Sequence, residues 1–198
     1  MNKKIIYSTL LLFFFQSSLL SYSSNPKDFV NELVKDAITK LADKKLEKDQ
    51  KAKFVEKLAL ENVDINALGL YTLGELRKSA NSDDITNYQK SFKGYFLKSL
   101  TSRLTDYSGS KLEILGEDKK SESYTIIKSK VSPSDGSPEI KIDWRVYTKN
   151  PEKPLIRDLI VEGLSLARTQ KEEFASILNS NNNDIKILIS KLDEFVSK

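Results

Sequence analysis

The chain has 198 residues, 32 basic against 28 acidic, and contains neither His nor Cys. That composition removes imidazole and thiol chemistry, disulfides and Cys/His metal sites. A formal charge of +4, in a chain that is 30% charged with both signs mixed, leaves no electrostatic footprint for nucleic acid.

The first segment, "MNKKIIYSTLLLFFFQSSLLSYSS", carries Lys3 and Lys4, an apolar run from Tyr7 to Phe15 that resumes up to Leu20, and Ser21 and Ser23 at small-x-small spacing. It is expected to be a secretory signal peptide, residues 1–23, cut near Ser23. An uncleaved anchor would need about 20 unbroken apolar residues, and Gln16, Ser17 and Ser18 interrupt the run. Residues 24–198 then form a single domain whose charges are close to balanced. Without Cys, that domain has no disulfide to lean on in an oxidising compartment and no site for a lipidated N-terminus, so it is expected to be soluble.

Asn25 followed by Pro26 predicts a helix start, and Phe29, Val30, Leu33, Val34, Ala37, Ile38 and Leu41 mark one face of about four turns. The charged stretch Asp43 to Lys53 separates this helix from a second one with Phe54, Val55 and Leu58 inward. Asp64 is positioned to cap a third, bearing Ile65, Leu68 and Leu76. Gly69 and Gly74 interrupt that pattern, each costing about 1 kcal/mol against Ala, which points either to a close approach or to a helix break. From Ser82 or Asp83 a long helix carries Tyr88, Phe92, Phe96, Leu100 and Leu104 every four residues. Such a stripe is either ordinary core or the wall of a ligand cavity, and periodicity does not choose.

Past "DYSGS" the period changes. "KLEILGE", "ESYTIIKSKV", "PEIKIDWRVYT" and "KPLIRDLIVEG" are short, β-branched and aromatic, and read as a four-stranded antiparallel meander. In the third, Ile140, Ile142, Trp144 and Val146 point to a covered face and Lys141, Asp143, Arg145 and Tyr147 to a wet one. Two helices close the chain. "TQKE", Thr169 to Glu172, has the form of a capping box for the first, and Ile185, Leu188, Ile189, Leu192, Phe195 and Val196 line the second. The fold class is α+β, a four-stranded or larger curved antiparallel sheet covered on one face by helices and enclosing an apolar cavity.

Catalysis would fall to Asp, Glu, Lys, Ser or Tyr, and none has the spacing of a dyad. Ser165 lacks a "GxSxG" elbow and suits a turn or helix start. No segment alternates acids densely enough for calcium. No enzyme activity, metal or resident cofactor is expected. What remains is apolar capacity, with Tyr88, Phe92, Phe96 and Leu100 from the long helix and Ile126, Ile142, Trp144, Val146, Leu159 and Val161 from the sheet as candidate cavity wall.

The stretch Val63 to Gly109, an acid-containing turn, an Ala-Leu-Gly helix, a loop and a long helix ending in Leu-x-x-Tyr, resembles the phospholipid-binding MlaC family, also called toluene-tolerance or ABC-transporter auxiliary proteins. Asp158, Glu162, Gly163, Leu164, Ser165, Leu166 and Phe174 resemble its second signature. The family commonly has Asn or Thr, then Tyr, then Arg before that Phe, where this chain has Thr169, Gln170 and Lys171, and its aromatic after Leu-Gly is replaced by Glu75 and Leu76. The resemblance implies a soluble periplasmic carrier with phospholipid as cargo. Its implied partners are an outer-membrane lipoprotein-porin complex and an inner-membrane ABC transporter with a lipid-binding ring protein. It implies tails in the apolar cavity, the headgroup near solvent, and a role in outer-membrane lipid asymmetry. A cystatin-like or nuclear-transport-factor-like interaction module, its core filled, is the alternative.

Overall fold

A computed structural model describes residues 22–104 and 110–198. The expected signal segment up to Ser21 and the turn residues 106–109 lie outside the described residues.

Helix α1, Pro26–Ala42, starts where the Asn25 side chain accepts from the Lys27 and Asp28 amides. Helix α2, Lys48–Asn62, begins with a capping box between Glu47 and Gln50, so half of the charged stretch expected to separate the helices is itself helical. Asp64 caps α3, Ile65–Thr72, by accepting from Ala67 N–H. A 3-10 turn, Gly74–Lys78, leads to α4, Ser82–Leu104.

The two glycines divide the readings between them. A Cβ on Gly69 would stand 2.9 Å from the Phe92 ring, so α3 and α4 meet there. Gly74 takes φ 64, where side chains are strained, and ends the helix.

Strands β1 Ser110–Ser121, β2 Tyr124–Pro133, β3 Ile140–Tyr147, β4 Leu155–Val161 and β5 Leu164–Ser165 form one antiparallel sheet in chain order. The last strand, two residues long, was not anticipated. It exists because Glu162 and Gly163 both take positive φ and fold the chain straight back on β4. Helix α5, Leu166–Asn179, therefore starts at the Ser165 cap rather than at the Thr169 box, and α6 is Ile185–Ser197.

Directly opposed residues of an antiparallel ladder share a face. Ser129, Ile142 and Val161 stand in one row, Ile127, Trp144 and Leu159 in the next, then Thr125, Val146 and Ile156. On this face Ile127, Val146 and Ile156 form a buried core with Phe29, Val30 and Leu33 of α1 and Leu58 of α2. A second core is entirely helical: Leu68, Tyr88, Phe92, Phe174, Leu178, Leu188 and Leu192 join α3, α4, α5 and α6. Val63, between α2 and α3, packs against both and bridges to Ile156 of β4.

Candidate functional site

The α4 stripe was left open between ordinary core and a cavity wall shared with the sheet. Its first half faces helices: α4 packs on α6, α2 and α3. Phe92 lies with its ring centre 6.2 Å from both Phe96 and Phe174, and 5.9 Å from Tyr88. Tyr95 donates to the Gln170 side chain at 2.8 Å, fastening α4 to α5. Tyr88 and Phe92 are buried, whereas Phe96 and, one turn on, Leu100 are half-buried.

Tyr88 is fully buried, its hydroxyl 2.9 Å from that of Thr72. Burial pushes its phenol well above the ordinary range, against the opposing effect of the Thr72 hydrogen bond. With the folded value raised, this group's contribution is intact below about pH 10, where an unfolded tyrosine ionises, and is lost as pH rises further. Native stability should therefore fall by about 1.4 kcal/mol per pH unit above pH 10 for each such tyrosine. Urea unfolding between pH 9 and 11 should be flatter in Tyr88→Phe by one tyrosine's share.

On the sheet, Val146 is buried in the core shared with α1 and α2, and Trp144 and Leu159 pack against its edge. The Trp144 indole N–H donates to Ser129 Oγ at 2.9 Å, and that hydroxyl donates to the Ile142 carbonyl at 2.8 Å, so the largest ring on the face is held in one orientation. Ile142 and Val161 share this face and are half-buried. Ile126 does not join them. It is buried on the opposite face, opposed to Arg145, which is in turn opposed to Asp158.

The ten candidate wall residues thus fall into three groups: Tyr88, Phe92 and Phe96 in or on the helical core, five sheet residues on the α1 face, and Ile126 behind them. Leu100 extends the first group along α4. Neither core closes fully over Phe96, Leu100, Ile142, Trp144, Leu159 or Val161. None of the ten lines either of two clefts on the surface of the described residues. One of these, about 510 Å³, lies between α4 and α6; the other, about 320 Å³, lies beside α3.

Polar residues on and near that opposite face form a network that the sequence did not reveal beyond the Asp64 cap, the wet-face placing of Arg145 and Tyr147, and the resemblance at Asp158. A bulge in β4 sets both Arg157 and Asp158 against Arg145. Arg157 donates through Nε and Nη2 to Asp64 Oδ2 at 2.8 and 2.7 Å, through Nη1 to the Tyr124 hydroxyl at 2.8 Å, and stacks 3.4 Å over the Tyr147 ring. Asp158, buried, accepts from Ser165 Oγ at 2.6 Å and Ala167 N–H at 3.0 Å. Charged residues inside the apolar strand "LIRDLIV" were the available signal. Ser165 also accepts from Arg168 N–H, so its hydroxyl is engaged in capping α5.

Among the described residues no three His, Cys, Asp or Glu side chains gather to hold a metal ion, and no helix is long and apolar enough to cross a membrane. The model of the MlaC protein family matches residues 31–194. The chain belongs to the MlaC family. Its fold is also that of a solved phospholipid-binding protein from Ralstonia solanacearum, determined in complex with a phospholipid. The two match with a TM-score of 0.70 at 20% identity, over 85% of this chain and 94% of that one. No curated protein matches the sequence. The MlaC match spans the sheet and all six helices, beginning and ending inside α1 and α6.

Proposed function

We propose that this MlaC-family chain is a periplasmic phospholipid carrier, moving lipid between an outer-membrane complex and an inner-membrane ABC transporter with its lipid-binding ring protein. The family match over residues 31–194 carries the reading, and the phospholipid bound by the Ralstonia protein of the same fold supports it. Within this chain, half-buried apolar residues at the margins of the two cores are the surfaces on which acyl tails would lie: Phe96 and Leu100 on α4, and Ile142, Trp144, Leu159 and Val161 on the sheet. Binding rather than catalysis fits a chain without His or Cys whose Ser165 is spent on a helix cap.

Energetics favour a shuttle over a store. Two acyl chains hold about 30 methylenes, worth on the order of 20 kcal/mol out of water at ~0.8 kcal/mol each. Their real competitor is the bilayer, where the tails are already dry, so exchange between protein and membrane is nearly balanced and partners can set its direction.

Mass spectrometry of an organic extract from the purified protein, beside its native mass, tests the reading. One phospholipid per chain is expected. Leu100→Trp should lower occupancy by roughly tenfold, the effect of 1–3 kcal/mol of overpacking on a bound ligand, with the melting temperature little changed. A folded apo protein that takes no lipid from vesicles would instead favour the interaction module.

A further inference from the structure

The cleft beside α3 lies on the sheet face turned away from α1, and its lining has an unusual balance: Arg77, Arg145 and Arg157 with no carboxylate, around Leu68, Tyr71 and Tyr124. Asp64 offsets Arg157 and Asp158 partly offsets Arg145, which leaves the three guanidiniums of this hollow with a net positive charge that an anion would lower. The acids nearby are already committed. Asp64 is taken by Arg157, and Asp158 accepts from Ser165 and Ala167 while standing 3.7 Å from Arg145. Arg145 is 43% exposed, and Arg77 is exposed with a 3.4 Å contact to the Leu70 carbonyl, so both keep donors for something in the cleft. Arg157, by contrast, is locked by Asp64, Tyr124 and Tyr147.

We propose that this cleft is an anion site, separate from the apolar rows on the covered face, that binds a phosphate group. Arg145 and Arg77 supply the open forks, since planar guanidinium donors match phosphate oxygens two at a time. Arg157 supplies a fixed charge that needs no reordering when the anion arrives. The group carried by the phosphate packs on Tyr71 and Tyr124. A volume of about 320 Å³ is at the small end of ligand sites and suits a phosphoglycerol unit rather than a pair of acyl chains. The phosphate can belong to a lipid headgroup or to a free monoester, and the site does not depend on the carrier reading.

The test titrates the full chain with sn-glycerol 3-phosphate, following the arginine Nε–H resonances, and separately sediments it with vesicles of phosphatidylglycerol or of phosphatidylcholine. Saturable binding of the small phosphate is expected, weakened at least tenfold in Arg145→Gln and in Arg77→Gln, with Arg145→Lys restoring only part because it keeps the charge and loses the fork. Binding confined to phosphatidylglycerol vesicles, with the same arginine dependence, supports the site and identifies a headgroup as its source. No binding of either probe, or equal binding by wild type and both Gln variants, overturns it. Arg77 lies on the surface outside both cores, so a lost signal in Arg77→Gln with an unchanged melting curve is not a folding failure.

Discussion

Asp158→Ala should be the most damaging single polar substitution in the protein, lowering stability by about 3–5 kcal/mol. The carboxylate is buried and ties three pieces of chain together: β4 itself, the Ser165 hydroxyl at the end of β5, and the Ala167 amide in the first turn of α5. Truncation removes two hydrogen bonds to an ionised acceptor, each worth about 1.5–3 kcal/mol, and orphans an amide at a buried residue. Asp158→Asn keeps the volume and one acceptor, so it should cost less than half as much. Urea denaturation should show a lower midpoint with unchanged slope. A loss below about 1 kcal/mol for Asp158→Ala would mean that the β4-to-α5 corner is held by its apolar neighbours instead.

Phe92→Ala should cost about 3–5 kcal/mol, the usual loss for a large buried aromatic, because its ring touches Tyr88, Phe96 and Phe174 at once. Its partner Gly69 makes the prediction sharper. On propensity alone Gly69→Ala should stabilise α3 by about 1 kcal/mol. The added methyl would lie 2.9 Å from the Phe92 ring, so the substitution should instead destabilise wild type by roughly 1–3 kcal/mol. In the Phe92→Ala background the obstruction is gone and the propensity gain should return. A double-mutant cycle in which Gly69→Ala costs the same in both backgrounds would remove the ring contact as the reason for glycine at this position.

Most elements were legible because local chemistry and tertiary packing agree on them. The Asn25 cap, the Asp64 cap and the four long strands each satisfy their own backbone and present one apolar face. The start of α5 was misplaced because two local signals compete: Thr169 to Glu172 has the letters of a capping box, but Ser165 reaches the chain first once Glu162 and Gly163 have turned it. What the sequence concealed was which apolar face meets which. A stripe of Tyr88, Phe92 and Phe96 declares that something dry lies opposite, and gives no means of telling a sheet from further helices. The register of β2 is a sharper case, since Ile126 and Ile127 are adjacent and both buried, yet serve opposite sides of the sheet. The Arg157 network depends on a one-residue bulge, which no period of two can reveal.

The two cores are also assembled in a particular order along the chain. Helices α3 and α4 are made before the sheet and α5 and α6 after it, so the helical core is stitched from segments on either side of a complete β-meander. Its fastenings span the gap: Tyr95 to Gln170 is 75 residues, and Lys98 to the Val196 carbonyl is 98. A chain emerging N-terminus first, from a ribosome or a translocation pore, can close α1 and α2 over the sheet while the aromatic rings of α4 wait uncovered for the final turns. Folding of this half is therefore tied to completion of the chain, and nascent or truncated molecules lacking α6 present a sticky row of rings that the finished protein hides.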